Sequence, residues 1–461
     1  MYAFYDFETS GAETAFDQPL QFAAVLTDEK FNELESINLR CRLAPHILPA
    51  PWAMQVTGIS LEQLTNPELP SLFEFSIKLR DIINKWTPSI WVGYNSIAFD
   101  ETIMRQMFYQ NLQPNIYMTQ MNGNSRLDIL TAVYATFALS RESLNWPVNE
   151  DNINTFKLDK MAPANGFNEH NAHDALGDVR ATIWLAKLIK ENCPSIWEQY
   201  LRSINKNSIL SVLKMKQPLS FIARNGKAPP REYITAFIGR SSEDRNKIAL
   251  IDLEVLLEKP ADQLLEPDSS TFLDKFPNLL HYVRLNAAPF LSIKANPNKE
   301  VTRKWDSVSN NLKFFENVSK FLDTQRLEYA KSDLVELQIY ENFVSDHDKN
   351  ILEGLTFIDW LSRKHEIEKI HDKRLRILGS RILLWEAPEL VKRQTRVVVF
   401  EAIQERWNNM GTDSGPWMTF DRVSKQLDQL VLRGHFSDQK KKNFENFYAG
   451  RIENLKFALG L

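Results

Sequence analysis

An apolar strand that ends in acid constrains this chain more than any other feature. Residues 2–6 (YAFYD) read as a buried strand, and Asp6 and Glu8 stand at its end, separated by Phe7. Alternation along a strand turns Asp6 and Glu8 to the same face. Two carboxylates about 6–7 Å apart on one face repel each other unless a cation sits between them. The opening segment therefore asks for a sheet around it and for positive charge at its end.

Two further runs suit the same sheet, residues 21–27 (QFAAVLT) and 37–43. The stretch 43–60 (LAPHILPAPWAMQVTGIS) is punctuated by proline and reads as loop. Residues 71–86 have helical spacing, and 90–94 (IWVGY) form another short strand ended by Asn95-Ser96. Asp100 opens an amphipathic helix to about Tyr109, residues 127–139 make a second, and 173–193 make a long third that stops before Pro194. Strands with helices interleaved after them predict an α/β unit over residues 1–193. Beyond it, short β-like runs (YITAFIG, IALIDLE, HYVRLN, FLSIKA) separated by turn-rich segments predict a small antiparallel β unit over 194–336. Amphipathic patterns at 351–362, 389–410, 420–433 and 439–458 predict a mainly helical unit over 337–461.

Composition supports that division. With 461 residues, 43% of them apolar, the chain is long enough for about three domains, and global disorder is excluded. Two cysteines, Cys41 and Cys193, exclude a disulfide scaffold and a thiolate metal cluster. No run approaches the length of apolar sequence that spans a membrane, and the N-terminus lacks a basic leader, so a reducing cytoplasm is the expected compartment. No Gly-rich phosphate loop or internal repeat is present. Charge is unevenly spread. Residues 1–193 hold 14 Lys+Arg against 23 Asp+Glu, whereas 202–247 hold ten basic residues against three acids. An acidic unit suits divalent cations, and a basic stretch beside it suits a polyanion.

Other acids join the first pair. Asp100 ends GYNSIAFD directly after a strand, and Asp178 lies on the long helix, preceded by His173. Four carboxylates and one histidine are the ingredients of two-metal phosphodiester hydrolysis: Mg²⁺ prefers carboxylate and phosphate oxygens, and a histidine can take the proton from an attacking water. Taken singly, each residue has a plainer reading. Asp100 suits a helix N-cap, His173 a satisfied loop histidine, and a D-x-E pair alone is weak. Their order and spacing raise the combination above its parts.

The set DFETSG (6–11), VTGI (56–59), GYNSIAFD (93–100) and HDALGD (173–178) resembles the DEDDh exonuclease superfamily. Within it, FYDFETSGAETAFDQPLQFAAVLTD, NSRLDIL (124–130), LNWP (144–147), TFKLDKMAPANG (155–166), NAHDALGDVRATIWLAKL (171–188) and LQIYENFVSDHDK (337–349) resemble the exodeoxyribonuclease I family. The resemblance is strong over 1–200, weak over 200–335 and moderate beyond. It implies a ribonuclease H-like exonuclease domain, an SH3-like β domain and a mainly helical C-terminal domain. It implies that Asp6, Glu8 and Asp178 ligate metal directly, that Asp100 holds a second ion mostly through water, and that His173 is the general base. Asp174 falls beside the motif and reads as a supporting residue or helix N-cap. Lys157 falls where the family has a basic residue near the substrate phosphate and Arg105 at a matching basic position that meets the strand; Arg126, in the NSR run, is a candidate for another phosphate, and Glu8 would also face the substrate. The implied activity is 3′ to 5′ removal of 5′-mononucleotides from single-stranded DNA in repair and recombination, with two Mg²⁺ ions for which Mn²⁺ can substitute. The implied partners are a DNA 3′ end and the acidic tail of a single-stranded DNA-binding protein, with no membrane and a monomeric chain. Trp86, Trp91, Phe22 and Trp146 are available for base stacking, although aromatic residues at such spacing are more often core.

Two departures stand out. The family's basic-aromatic run resembling RYRARNFPE is mostly replaced in DKRLRILGSRILLWEAPEL (372–390), which bears on how tightly the third domain closes over DNA. Tyr134 stands where a basic residue is usual. Two other readings remain open at this point: an exoribonuclease such as oligoribonuclease or ribonuclease T, which are shorter single-domain chains, and a non-catalytic binding protein that kept the fold.

Overall fold

The computed structural model describes residues 1–168, 174–258, 278–293, 295–310, 312–324, 332–410 and 415–461. Five strands form the first sheet: β1 (Tyr2–Thr9), β2 (Pro19–Thr27), β3 (Glu33–Arg40), β4 (Ile90–Gly93) and β5 (Ser125–Asp128). Their order is β3-β2-β1-β4-β5. β2 runs antiparallel to β1 and β3, while β4 lies parallel to β1 and β5 parallel to β4.

β1 is central because both of its faces are apolar. Tyr2 and Phe4 enter one core with Val25, Val133, Val179 and Leu185. Ala3, Tyr5 and Phe7 enter the other with Leu79, Trp86 and Met104. The helices Ile129–Leu139 and Ala175–Asn192 cover the first face, and Leu72–Trp86 and Asp100–Gln110 cover the second. Each large side chain buried in these layers contributes roughly 1.5–3 kcal/mol. Trp86, Trp91 and Phe22 belong to this core and are not stacking platforms. Trp146 packs edge-on against Phe137 at 4.9 Å.

Three local expectations need correction. The third strand is Glu33–Arg40, earlier than the expected 37–43. It is an edge strand (ELESINLR) in which five charged or polar residues outnumber Leu34, Ile37 and Leu39, so its apolar signal is thin. The loop 43–60 contains the helix Pro51–Thr57, where Pro51 fills the first turn without losing a bond and Gly58 ends the helix at φ 64°. The helix expected from 127 starts at Ile129, because residues 125–128 form β5 and Asp128 caps that helix by accepting from Leu130 N–H. The helix over 71–86 is found as Leu72–Trp86, opened by a reciprocal Ser71–Glu74 capping box.

A second sheet holds β6 (Pro218–Ala223), β7 (Arg231–Arg240), β8 (Lys247–Asp252), β9 (Leu280–Arg284) and β10 (Leu291–Ser292) in the order β10-β6-β7-β8-β9, antiparallel throughout. Ile222 and Phe290 reach from it into the core beneath β1. Trp305, Val308, Val318 and Leu322, from the helices Lys299–Ser309 and Leu312–Thr324, close its other side.

From residue 332 onward the described chain is helical, including Asp346–Gly354, Trp360–Lys369, Lys373–Glu386, Arg393–Asn408, Phe420–Leu432 and Asp438–Ala458. Trp407, Leu427 and Phe444 pack on Leu43, Leu48 and Met54 of the N-terminal unit. The helix Asp438–Ala458 also clasps that segment by hydrogen bonds. Tyr448 Oη donates to the Pro49 carbonyl at 2.6 Å. Arg451 Nη2 donates to the carbonyls of Ala44, Pro45 and Ile47 at 2.8–3.0 Å. The same segment meets the chain just beyond β1 through Ala50 N–H, which donates to Ser10 O at 2.7 Å. Cys41 and Cys193 are buried and free. No helix among the described residues is long and apolar enough to cross a membrane.

Candidate active site

The even-numbered face of β1 changes from apolar to acidic at Asp6. Tyr2 and Phe4 pack against the helix Ala175–Asn192, whose Ala175 and Val179 lie in the same core. That packing fixes the helix along β1 and carries Asp178 to Asp6 and Glu8. One carboxylate oxygen from each of these three residues lies within 4.8 Å of the others. Glu8 is buried, and Asp6 and Asp178 are half-buried. Phe7, on the opposite face, anchors the strand in the second core.

Asp100 enters from β4 through the loop 94–99. Gly93 ends β4 where a side chain has no room: a Cβ there would stand 2.4 Å from Ser96 Cβ and 3.2 Å from the Tyr5 carbonyl. Asn95 takes the left-handed conformation at φ 60°. Asp128, at the end of β5, holds the turn. Its carboxylate accepts from Asn95 N–H at 2.8 Å and Ile97 N–H at 3.3 Å, as well as from the helix it caps. Asp100 itself accepts from Phe7 N–H at 3.1 Å, which ties it to the strand between the two acids.

The electrostatics follow from burying like charges together. Burial first, then the carboxylates of Asp100, Glu8 and Asp178, push Asp6 well above the usual range. Burial and then Asp178, Asp100 and Asp174 push Glu8 up to about 8. Burial pushes Asp100 up to about 7 against the lowering effect of the Phe7 N–H. Buried, mutually repelling oxygens within reach of one another fit a hard divalent cation, which would neutralise them. Asp6, Glu8 and Asp178 would hold it directly, with Asp100 alongside.

The other expected residues divide. His173 lies outside the described residues. Asp174 takes the N-cap position but caps nothing with its side chain; its Oδ1 accepts from Gln21 Nε2 at 2.9 Å and faces Arg40 at 3.6 Å. Lys157 is exposed at the start of the helix Leu158–Ala164. It lines a groove of about 490 Å³ with Tyr94, Tyr134, Phe156, Arg224 and Lys227, between the α/β unit and the second sheet. The Arg224 guanidinium lies 5.1 Å from the Phe156 ring. Arg105 and Arg126 are turned inward. Both pair with Glu101 Oε2, at 3.0 and 2.9 Å, and Arg126 also donates to the Asn286 carbonyl. Arg126 is buried, so a phosphate reaching it would have to displace a buried ion pair.

Two residues were missed in the sequence. Glu101 is 1% exposed and accepts from Tyr5, Thr119, Arg105 and Arg126, so it knits β1, the Asp100 helix and β5 beneath the site. As an acid in a first helical turn it looked like a solvated end residue. Asp128 could have been found from its place immediately before an apolar helix.

Comparison with known proteins bears on this geometry. An exonuclease family model matches residues 3–186. The exodeoxyribonuclease I of Buchnera aphidicola subsp. Schizaphis graminum is 31% identical over 404 residues, covering 82% of this chain and 82% of its own length. The structure of E. coli exonuclease I in complex with a dA16 oligonucleotide superposes with a TM-score of 0.81 at 24% identity, over 98% of this chain and 99% of that one. A structure of SSB/exonuclease I in complex with an inhibitor superposes at 0.74 and 25% identity, over 99% and 98%. The carboxylate centre thus sits within the span of an exonuclease domain, on a fold shared along nearly the whole chain. An identity of this size over four-fifths of both chains places the protein in the exodeoxyribonuclease I family, as a 3′ to 5′ exonuclease.

Proposed function

We propose that the chain degrades single-stranded DNA from its 3′ end to 5′-mononucleotides by hydrolysis at the Asp6–Glu8–Asp178 centre. The convergence of these three carboxylates within 4.8 Å carries the reading. Mg²⁺, with Mn²⁺ able to replace it, would supply charge neutralisation at the scissile phosphate and at both the attacking and leaving oxygens. The residues do the rest. Asp6, Glu8 and Asp178 bind and fix the position of the phosphate-facing charge. Asp100, tied to the strand by Phe7 N–H, holds the far side. His173 takes the proton of the attacking water, as the family's base does. The groove of Lys157, Arg224 and Lys227 beside Tyr134 and Phe156 supplies cations and aromatic faces for the strand behind the 3′ end. Tyr134 sits under Arg224 at 6.0 Å, so the cation missing from residue 134 is provided from the second sheet. In this reading residues 1–193 hydrolyse, 194–336 hold DNA and 337–461 brace both. The chain works as a cytoplasmic monomer in DNA repair, where the acidic tail of a single-stranded DNA-binding protein would bring it to its substrate.

The decisive assay follows a 5′-labelled single strand with Mg²⁺ or EDTA, beside an RNA strand of the same sequence and the Asp178→Ala chain. Metal-dependent shortening of DNA from the 3′ end, lost in the variant, supports the proposal. Preferred digestion of RNA would move the substrate class. Binding without digestion would overturn the reaction.

A further inference from the structure

A second group of metal-ligating side chains lies outside the carboxylate centre. His347 is in the first turn of the helix Asp346–Gly354, and His371 is in the turn before the helix Lys373–Glu386. Asp348 brings them together. Its carboxylate is 1% exposed and accepts from His371 N–H at 2.8 Å and from Asp372 N–H at 3.0 Å. The two imidazole rings then face each other at 4.1 Å, 17° from parallel, and both residues are exposed. One ligand atom from each of His347, Asp348 and His371 lies within 4.8 Å of the other two.

We infer that His347, Asp348 and His371 form a surface site for a borderline divalent transition ion of the Zn²⁺ class. Two nitrogens and one oxygen suit Zn²⁺, Ni²⁺ or Co²⁺, whereas the all-oxygen centre at Asp6 suits Mg²⁺. Each Asp348 oxygen keeps a second lone pair after accepting its backbone N–H. Both rings are exposed, His347 Nε2 lies 3.4 Å from the Lys369 carbonyl, and Asp348 is already fixed by its backbone partners. Three protein ligands leave a fourth position for water. The buried carboxylate, held from behind by backbone N–H groups, is the kind of fixed ligand that a solvated surface acid cannot be. The ion would join the Asp346 helix to the turn at 370–372. The next residues extend that clamp, because Arg374 donates to the carbonyls of Gln338 and Asn342 at 2.5 and 2.9 Å. Segment 338–342 would thereby be stiffened where the helical region begins.

The test is isothermal titration of the full chain with Zn²⁺ while Mg²⁺ is in large excess, with Co²⁺ absorption as a second readout. Wild type, His347→Ala, His371→Gln and Asp6→Asn are compared, and melting without transition metal checks that each is folded. One ion should bind to wild type and to Asp6→Asn alike, with visible Co²⁺ bands of nitrogen ligation. Each histidine variant should lose at least about tenfold in affinity, as loss of a ligand or its support does. Equal affinity in the histidine variants would overturn the site. So would binding that Asp6→Asn abolishes, which would assign the ion to the carboxylate centre, or no binding to wild type.

Discussion

Glu8 and Asp100 make the site costly to fold without metal. The unfolded carboxyls titrate near 4.5 and 3.8, whereas in the folded chain they are pushed up to about 8 and about 7. Between those limits the folded state holds more protons than the unfolded one, so stability falls as pH rises across the window. A bound cation displaces the protons and removes the repulsion. Melting in EDTA should therefore drop from about pH 5 to about pH 8, and the rise in Tm produced by Mg²⁺ should grow over the same interval. A Mg²⁺ increment that is flat with pH would contradict this. Asp6→Asn keeps the shape and removes one charge. It should raise the metal-free Tm, abolish most of the Mg²⁺ increment and lower kcat by about 10³-fold, since several kcal/mol of charge stabilisation leave with it. The acids of the site were legible because alternation fixes Asp6 and Glu8 to one face and motif spacing selects Asp178 over Asp174. Glu101 was not legible, since its burial depends on Tyr5, Thr119 and Arg126, which only the folded sheet brings to it. The inward turn of Arg126 was hidden for the same reason.

At the scale of the element, the turn after β4 depends on β5. Asp128 satisfies backbone N–H groups of residues 95, 97 and 130 with a single carboxylate. Asp128→Ala leaves them without it and should cost about 3 kcal/mol in urea unfolding, typical of losing hydrogen bonds to a buried charge. It should also weaken Mg²⁺-dependent activity, because the loop that delivers Asp100 is released. By contrast, Ser71→Ala removes half of a capping box remote from the acids and should cost about 1 kcal/mol with kcat unchanged. Equal effects on kcat in the two variants would refute the role given to Asp128. Helices with long apolar stripes and clear caps were readable from sequence. The four-residue β5 was not, because a strand that short takes its conformation from pairing with β4. The helix Pro51–Thr57 was hidden among prolines and owes its burial to helices almost 400 residues away.

At the scale of the whole molecule, the groove at Lys157 joins the unit of net negative charge to the basic sheet beside it. Replacing Lys157, Arg224 and Lys227 together by alanine should raise KM for single-stranded DNA while leaving kcat on a saturating strand nearly intact. If each meets one phosphate, the slope of log affinity against log salt should fall by about 2, at roughly 0.7 per contact on single strands. An unchanged slope would place the strand elsewhere. The charge asymmetry that suggested this surface was visible in composition, whereas the pairing of Arg224 with Tyr134 and Phe156 needed the two sheets to dock. The clasp of Tyr448 and Arg451 on residues 44–49 has a consequence for the order of events during synthesis. The carbonyls of residues 44, 45, 47 and 49, in the segment whose Ala50 N–H donates to Ser10 just beyond the acidic strand, take side-chain partners made some 400 residues later. A nascent chain can assemble its first sheet early, yet the segment bracing that sheet is completed only when the helix Asp438–Ala458 has emerged. Nuclease competence would then arrive with the last part of the described chain and not with its first.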